Sequence, residues 1–176
     1  LTGKAGTGKT TFLRNLKTFC PKRMIVVAPT GVAAINAGGV TIHSFFQLPF
    51  SPFIQGFSQA SNSKNESDSQ ASYSFKLSRN KIKIIRSLDL LVIDEISMVR
   101  ADLLDAVNEV LKKYRRSNKP FGGVQLLMIG DLHQLAPVVK EDEWLMLKDY
   151  YNSAFFFSSI ALQKTDFVSI ELKHIY

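Results

Sequence analysis

Gly3-Lys4-Ala5-Gly6-Thr7-Gly8-Lys9-Thr10 is a complete glycine-rich phosphate loop of the form G-x-x-x-x-G-K-[ST]. Its glycines allow a turn tight enough for successive backbone N–H groups to point inward at phosphate oxygens, where a β-carbon would intrude. Lys9 supplies a point charge for the β- and γ-phosphates and Thr10 a hydroxyl for Mg²⁺, and the helix beginning there adds its positive N-terminal end. A nucleoside triphosphate with its magnesium ion is therefore the first ligand pair the sequence implies. The candidate contacts are Gly3, Ala5, Gly6, Thr7, Gly8, Lys9, Thr10 and Thr11.

Outward from the loop, Phe12, Leu13, Leu16 and Phe19 recur at helical spacing, which predicts a helix over residues 10–19 with one buried side, stopped by Pro21. Residues 24–28 read as a short apolar strand, and 32–37 as a short helix ending at Gly38-Gly39. From 58 to 74 the chain turns to Ser, Asn and Gln with almost nothing to bury, so a mobile insertion or small subdomain is expected within 50–80. Ile82, Ile85 and Leu88 mark another helix, and Leu90-Leu91-Val92-Ile93-Asp94 is an apolar strand ending in acid, as at the buried centre of a parallel sheet. A long amphipathic helix carries Val99, Leu103, Val107, Val110 and Tyr114, and strands are expected at 125–130 and 167–172 with a helix around Trp144 between them. Strands alternating with helices predict a doubly wound α/β domain with a parallel sheet.

Composition narrows the class of protein. At 176 residues and 45% hydrophobic content the chain fits one globular domain with a substantial core. Lys and Arg number 22 against 15 Asp and Glu, a net charge of +7 that suits a polyanion such as nucleic acid, although solvated basic helix faces have the same composition. The single cysteine, Cys20, excludes an internal disulfide framework and fits a reducing compartment. No apolar run approaches the roughly 18 residues of a membrane span, and no signal-peptide pattern is present, so a soluble protein without a membrane partner is expected.

Two further segments carry chemistry. Asp94-Glu95 stands where parallel strands bring a carboxylate pair beside the phosphate loop: one acid can hold Mg²⁺ and the other can deprotonate an attacking water. In Gly130-Asp131-Leu132-His133-Gln134, the Gln134 amide can reach the γ-phosphate or the water. The segments 29–34 and 41–46 offer hydroxyls, free backbone N–H groups and aromatics that can grip phosphates and stack bases. From the residues alone, however, Phe45 and Phe46 read as core and His43 as a structural histidine. The three histidines and Cys20 show no zinc-site spacing.

Taken in order, residues 3–11, 28–46, 91–98 and 130–138 resemble the PIF-type helicases, superfamily-one DNA helicases related to RecD. The stretch A-P-T-G-V-A-A-I-N-A-G-G-V-T-I-H-S-F-F at 28–46 is far more specific than the phosphate loop. The resemblance implies the first of two RecA-like motor domains that close on ATP and move 5′-to-3′ on single-stranded DNA. Lys9, Glu95 and Gln134 are the implied catalytic residues, Thr10 and Asp94 the Mg²⁺ ligands, and Pro29, Thr30, Gly31, His43, Ser44 and Phe45 the DNA contacts. Single-stranded DNA and duplex junctions are the implied partners, and a monomer is expected. The location would be cytoplasmic and nucleoid-associated in a bacterium, and nuclear or mitochondrial in a eukaryote. Leu132, His133 and Ala136 depart from the G-D-F-F-Q-L-P-P-V of the family, while Gln134 is retained. The chain reads as a piece of a longer protein, without the second motor domain, and is expected to hydrolyse ATP poorly alone.

Three rivals share the loop. A small-molecule kinase is one, although Asp94-Glu95 with Gln134 points to water as the acceptor. An AAA-type ATPase would need a second, arginine-bearing helical region. A degenerate motor domain kept as a nucleic-acid-binding module would not need the hydrolytic residues that stand intact here.

Overall fold

The computed structural model describes residues 1–54 and 76–175. β1 (Thr2–Gly3) leads directly into the phosphate loop, and α1 (Lys9–Phe19) starts from Gly8, whose φ of 87° lies in the left-handed region that favours glycine. The face of α1 that meets the sheet is centred on Leu13, Leu16 and Cys20. Phe12 and Phe19 lie about a quarter turn away and stand 38% and 79% exposed, which corrects the expectation of one buried side for all four.

β2 (Met24–Ala28) matches the predicted strand, and α2 (Gly31–Asn36), β3 (Val40–Thr41) and α3 (Ile42–Phe46) follow. Thr30 and Thr41 cap α2 and α3, their hydroxyl oxygens accepting the backbone N–H groups of Ala33 and Ser44 at 3.2 Å each. Residues 42–46 thus form a helical turn capped by Thr41. Between these helices a β-carbon at Gly39 would collide with the Val26 carbonyl, so glycine lets the chain pass close to β2.

The predicted insertion at 58–74 lies outside the described residues. Beyond it come α4 (Arg79–Ser87), β4 (Leu90–Ile93), α5 (Ala101–Arg115) and β5 (Gln125–Met128), then α6 (Glu141–Leu147), α7 (Ile160–Gln163) and β6 (Glu171–Leu172). The strand expected over 167–172 contracts to its last two residues, Glu171 and Leu172, which pair with Thr2 and Gly3 of β1.

Among the described residues the strands pair in parallel, in the orders β3-β2-β4-β5 and β1-β6, and an isolated antiparallel bridge joins Arg100 to Phe155. A parallel bridge between Thr2 and Gly130 joins the two groups, with the Leu1 nitrogen donating to Met128 O at 2.8 Å and Gly130 N donating to Leu1 O at 3.2 Å. The phosphate-loop strand is thereby placed next to the strand that leads to Gln134. Side chains of β4 alternate: Leu90 and Val92 pack with Leu13, Val26 and Ile129, while Leu91 and Ile93 pack with Val27 and the inner faces of α3, α4 and α5. Helices on both faces of a parallel sheet make the doubly wound domain that the alternation predicts. Both candidate sites lie at the carboxyl ends of its strands, where open α/β sheets take their ligands. Among the described residues no helix is long and apolar enough to cross a membrane.

Candidate functional site

The phosphate loop is held from below. Thr7 is buried and its hydroxyl donates to Lys4 O at 2.8 Å, while a β-carbon at Gly3 would stand 2.5 Å from that hydroxyl and 2.9 Å from Leu172 O. Gly6 and Gly8 take φ of 79° and 87° to turn the backbone around the cradle. Lys9 Nζ lies across the loop, donating to Gly3 O at 2.5 Å and Lys4 O at 3.0 Å. The amine is therefore already at the cradle, where bound phosphate would draw it from these carbonyls.

An open cleft of about 690 Å³ runs over the loop, lined by Ala5 to Phe12 and by Asn15, Glu95, Gln134 and Leu172. The structure thus brings the sequence-predicted residues Lys9, Thr10, Thr11, Glu95 and Gln134 to one cleft. Gly3 sits beneath it. Asp94 closes β4, its Oδ1 accepting the Glu95 N–H at 3.0 Å, and lies just behind the lining.

Burial pushes the Asp94 carboxyl above the ordinary range, against the pull of Lys9. Glu95 is raised by burial, then by the neighbouring Asp94, with Asp131 adding to the effect and Lys9 opposing it. A carboxylate raised in this way is a stronger base near neutral pH. Glu95 also adopts a left-handed backbone, φ 51° and ψ 47°, which turns the chain out of the strand into the 3₁₀ turn Ile96–Met98.

Asp131, to which the sequence pattern assigns no role, is the residue that fixes Gln134. It is 4% exposed; its Oδ2 accepts Gln134 Nε2 at 3.3 Å and its Oδ1 accepts the His133 N–H at 3.0 Å. The only sequence signal was an acid directly after a strand. Gly130 makes room beside it, since a β-carbon there would come within 2.9 Å of Ile96 Cγ2.

Oxygen donors suit Mg²⁺, which keeps several waters and takes one or two protein ligands together with substrate phosphates. Thr10, which lines the cleft, and Asp94 behind it carry oxygen donors of that kind. Among the described residues no cluster of three or more His, Cys, Asp or Glu forms a protein cage for a metal. Oxygen donors of this kind fit an ion carried by nucleotide phosphates.

The second candidate region begins at the end of β2. Pro29, Thr30 and His43 line a pocket of about 240 Å³ together with Phe50, Met98 and Arg100. Gly31 and Ser44 are exposed next to it, and Lys81 Nζ donates to Ser44 O at 2.5 Å. His43 is lowered by burial and by the charge of Arg100, with Asp102 opposing, and its ring stacks on Phe50 at 4.6 Å and 21°.

Phe45 corrects an expectation. It is 6% exposed and sits edge-on to Phe46 at 4.9 Å, inside the core beneath α3, so it has no free face for a base. The reading of Phe45 and Phe46 as core holds, and the exposed aromatic of this region is Phe50, 82% exposed. Sequence reasoning missed Phe50 because it stands alone at the edge of the polar segment, outside any periodic pattern. Arg100 and Asp102 were also missed. Arg100 pairs with Asp102 at 2.6 Å and Glu143 at 2.9 Å, and Asp102 Oδ2 accepts the Phe53 N–H at 3.0 Å, which fixes the floor of the pocket.

Comparison with known proteins gives a consistent family. A model of the PIF1-like helicase matches residues 1–148. The ATP-dependent DNA helicase PIF1 of Candida albicans is 40% identical over 183 residues, covering 99% of this chain and 18% of that protein. The crystal structure of the Bacteroides Pif1 helicase with ADP-AlF3 and single-stranded DNA superposes with a TM-score of 0.88 at 45% identity, over 99% of this chain and 38% of that one. A structure of two coordinating Pif1 helicases at forked double-stranded DNA gives 0.86 at 45% identity, over 99% and 39%. This chain spans about a fifth of the curated relative and under two-fifths of the solved chains. With the family model matched along most of its length and the fold shared at this identity, the chain belongs to the PIF1-like helicase family.

Proposed function

We propose that this chain is the first RecA-like motor domain of an ATP-driven 5′-to-3′ DNA helicase, binding Mg-ATP over the phosphate loop and single-stranded DNA across Pro29, Thr30, Gly31, His43 and Ser44. The observation that carries the reading is the short segment joining the two regions. Glu95 lines the nucleotide cleft, while Met98 and Arg100, at the far end of the same turn, line the pocket that holds Pro29, Thr30 and His43. A change at the γ-phosphate is therefore three to five residues along the chain from the DNA face, a short path for converting hydrolysis into a shift of grip.

In this reading Lys9 neutralises the β- and γ-phosphates, Glu95 takes the proton of the attacking water and Gln134, steadied by Asp131, orients that water. Thr10 and Asp94 would hold Mg²⁺, which supplies positive charge to the phosphates. Among the described residues no arginine lines the cleft. Arginines that offset transition-state charge are worth about 10³–10⁵ in rate, so a second motor domain would complete the site and this domain alone would hydrolyse ATP slowly. Single-stranded DNA and duplex junctions are the partners, in whichever compartment holds the DNA, and the working unit is a monomer.

The test is strand displacement by the full-length protein on partial duplexes with a 5′ or a 3′ single-stranded tail. The 5′-tailed substrate should open in an ATP-dependent reaction that Glu95→Gln abolishes while ATP still binds. Opening of only the 3′-tailed substrate, or full activity in Glu95→Gln, would overturn the assignment.

A further inference from the structure

The basic runs at 79–86 and 112–116 lie apart in sequence and meet in the fold. Arg115 joins them: its guanidinium donates to Ile85 O, Arg86 O and Leu88 O at the end of α4 and to Gly122 O, which holds its charge between the helices at the carbonyl end of α4. Arg86 adds a bond from Nε to Tyr114 O at 3.2 Å. The other cations face outward. Arg79, Lys83 and Arg86 recur at i, i+4 and i+7 on one exposed stripe of α4, and exposed Lys113 and Arg116 stand beside it at the end of α5. Among the described residues none of Arg79, Lys83, Arg86 and Arg116 makes an ion pair, and Glu109, the last acid of α5, pairs with Lys112 at 3.3 Å. Such a stripe opposes the stability of its own helix. Like charges one turn apart repel, and the first turn of α4 carries Arg79 and Lys81 where the helix dipole favours acids.

We infer that this flank holds the phosphate backbone of duplex DNA adjoining the bound single strand. The inference rests on the reading of Pro29, Thr30, His43 and Ser44 as the DNA face. α4 starts at that face, where Lys81 in its first turn donates to Ser44 O, and it leads into β4, so the stripe runs from the carboxyl ends of the strands down the side of the domain. From Arg79 to Arg86 it spans about 10 Å, over which a duplex carries about six phosphate charges. Duplex is favoured over single strand by what the flank lacks. A single strand is gripped by cations interleaved with aromatic platforms for its bases, and α4 has no aromatic residue. The one aromatic in the last turn of α5, Tyr114, is half-buried, accepts the Leu77 N–H at 3.1 Å and has Lys113 Nζ over its ring at 5.6 Å. Charge without a stacking surface suits a polyanion whose bases are turned inward. The junction between duplex and single strand then falls near Ser44.

The experiment measures binding of the full-length protein by fluorescence anisotropy, over a series of salt concentrations, to a single-stranded oligonucleotide, a blunt duplex and a junction carrying the same single strand. Arg79→Gln, Lys83→Gln and Arg86→Gln together remove two or three phosphate contacts. On duplex and junction the slope of log K against log salt should become shallower by about 2–3, so that the affinity lost between roughly 50 and 200 mM salt shrinks by about 10- to 40-fold. Single-strand affinity and ATP hydrolysis stimulated by single strands should stay at wild-type values. Arg79→Gln with Lys83→Gln, which leaves the Arg86–Tyr114 bond intact, should still reduce the duplex slope by about 2 with an unchanged thermal midpoint. Arg79→Lys with Arg86→Lys keeps the charges and should retain duplex binding. A duplex slope unchanged in both glutamine variants would overturn the inference and leave the stripe to an acidic protein surface. Equal losses on duplex and single strand would overturn it in favour of a general charge effect. Ser44→Asp, which sets a negative charge on the strand face, separates the two levels. If it weakens single-strand binding while the α4 variants leave the duplex slope untouched, only the flank fails; if it leaves single-strand binding intact, the reading of the DNA face fails.

Discussion

Replacing Asp131 with asparagine separates two effects that the carboxylate exerts together. The first is geometric. Asp131 accepts the Gln134 amide at 3.3 Å through one oxygen and the His133 N–H at 3.0 Å through the other. Asparagine has the same shape, but one terminal atom becomes an NH₂ and must face a donor. One hydrogen bond to a charged group, about 1.5–3 kcal/mol, is lost. Where that loss falls on Gln134 at the moment of water attack, hydrolysis slows by about 10- to 150-fold. The second effect is electrostatic. Glu95 is raised by burial, then by Asp94, and Asp131 adds a further push. Removing that negative charge makes the Glu95 carboxylate easier to form, so the acid limb of the rate profile moves to lower pH. Phosphate release by the full-length protein with DNA, followed across the acidic to neutral range, reads both. An unchanged turnover would refute the orienting role, and an acid limb that moved to higher pH would refute the charge argument.

Other perturbations test the scaffold. Asp105 is 4% exposed and accepts from Tyr151 Oη at 2.9 Å, Ser159 Oγ at 2.6 Å, Ile160 N at 3.0 Å and Ala161 N at 2.9 Å, joining α5 to the start of α7. Asp105→Ala strands these donors and should cost about 3–5 kcal/mol in chemical denaturation, while a loss under about 1 kcal/mol would contradict it. In Gly39→Ala the new β-carbon must displace the Val26 carbonyl, and about 1–3 kcal/mol of destabilisation is expected by the same assay. Hydrogen bonds from Arg23 hold the exposed Asp89 carboxyl down at about 2, so its small contribution to stability is full above 3.8 and is lost as pH falls through about 2. Arg23→Gln should return Asp89 toward 3.8 in a carboxyl NMR titration, and a value still near 2 would contradict the pairing.

The nucleotide side of the domain was legible because its constraints are local. A glycine-rich loop, an apolar strand ending in Asp94-Glu95 and a strand leading to Gln134 each declare themselves within a few residues, and a parallel sheet brings their ends together whatever lies between. The exposure of Phe12 and Phe19 was less legible, since it depends on which face of the helix the sheet takes, whereas Phe45 read as core from its residues and as a DNA contact only through the resemblance. Leu13 and Leu16 take that place on α1, and α3 turns Phe45 inward once Thr41 caps it. Asp131, Arg100 and Asp102 act through partners 2 to 49 residues away, and no spacing pattern encodes such pairs. Phe50 gave no signal either, because a lone exposed aromatic acquires meaning only when His43 is found against it.

Coupling of nucleotide hydrolysis to DNA is measured most directly as the ATPase rate of the full-length protein with and without single-stranded DNA, with Lys9→Ala as the blank. Strong stimulation by DNA that disappears in Lys9→Ala is the predicted result. Hydrolysis indifferent to DNA would contradict the coupling through residues 95–100 and leave a phosphate-loop ATPase of another kind.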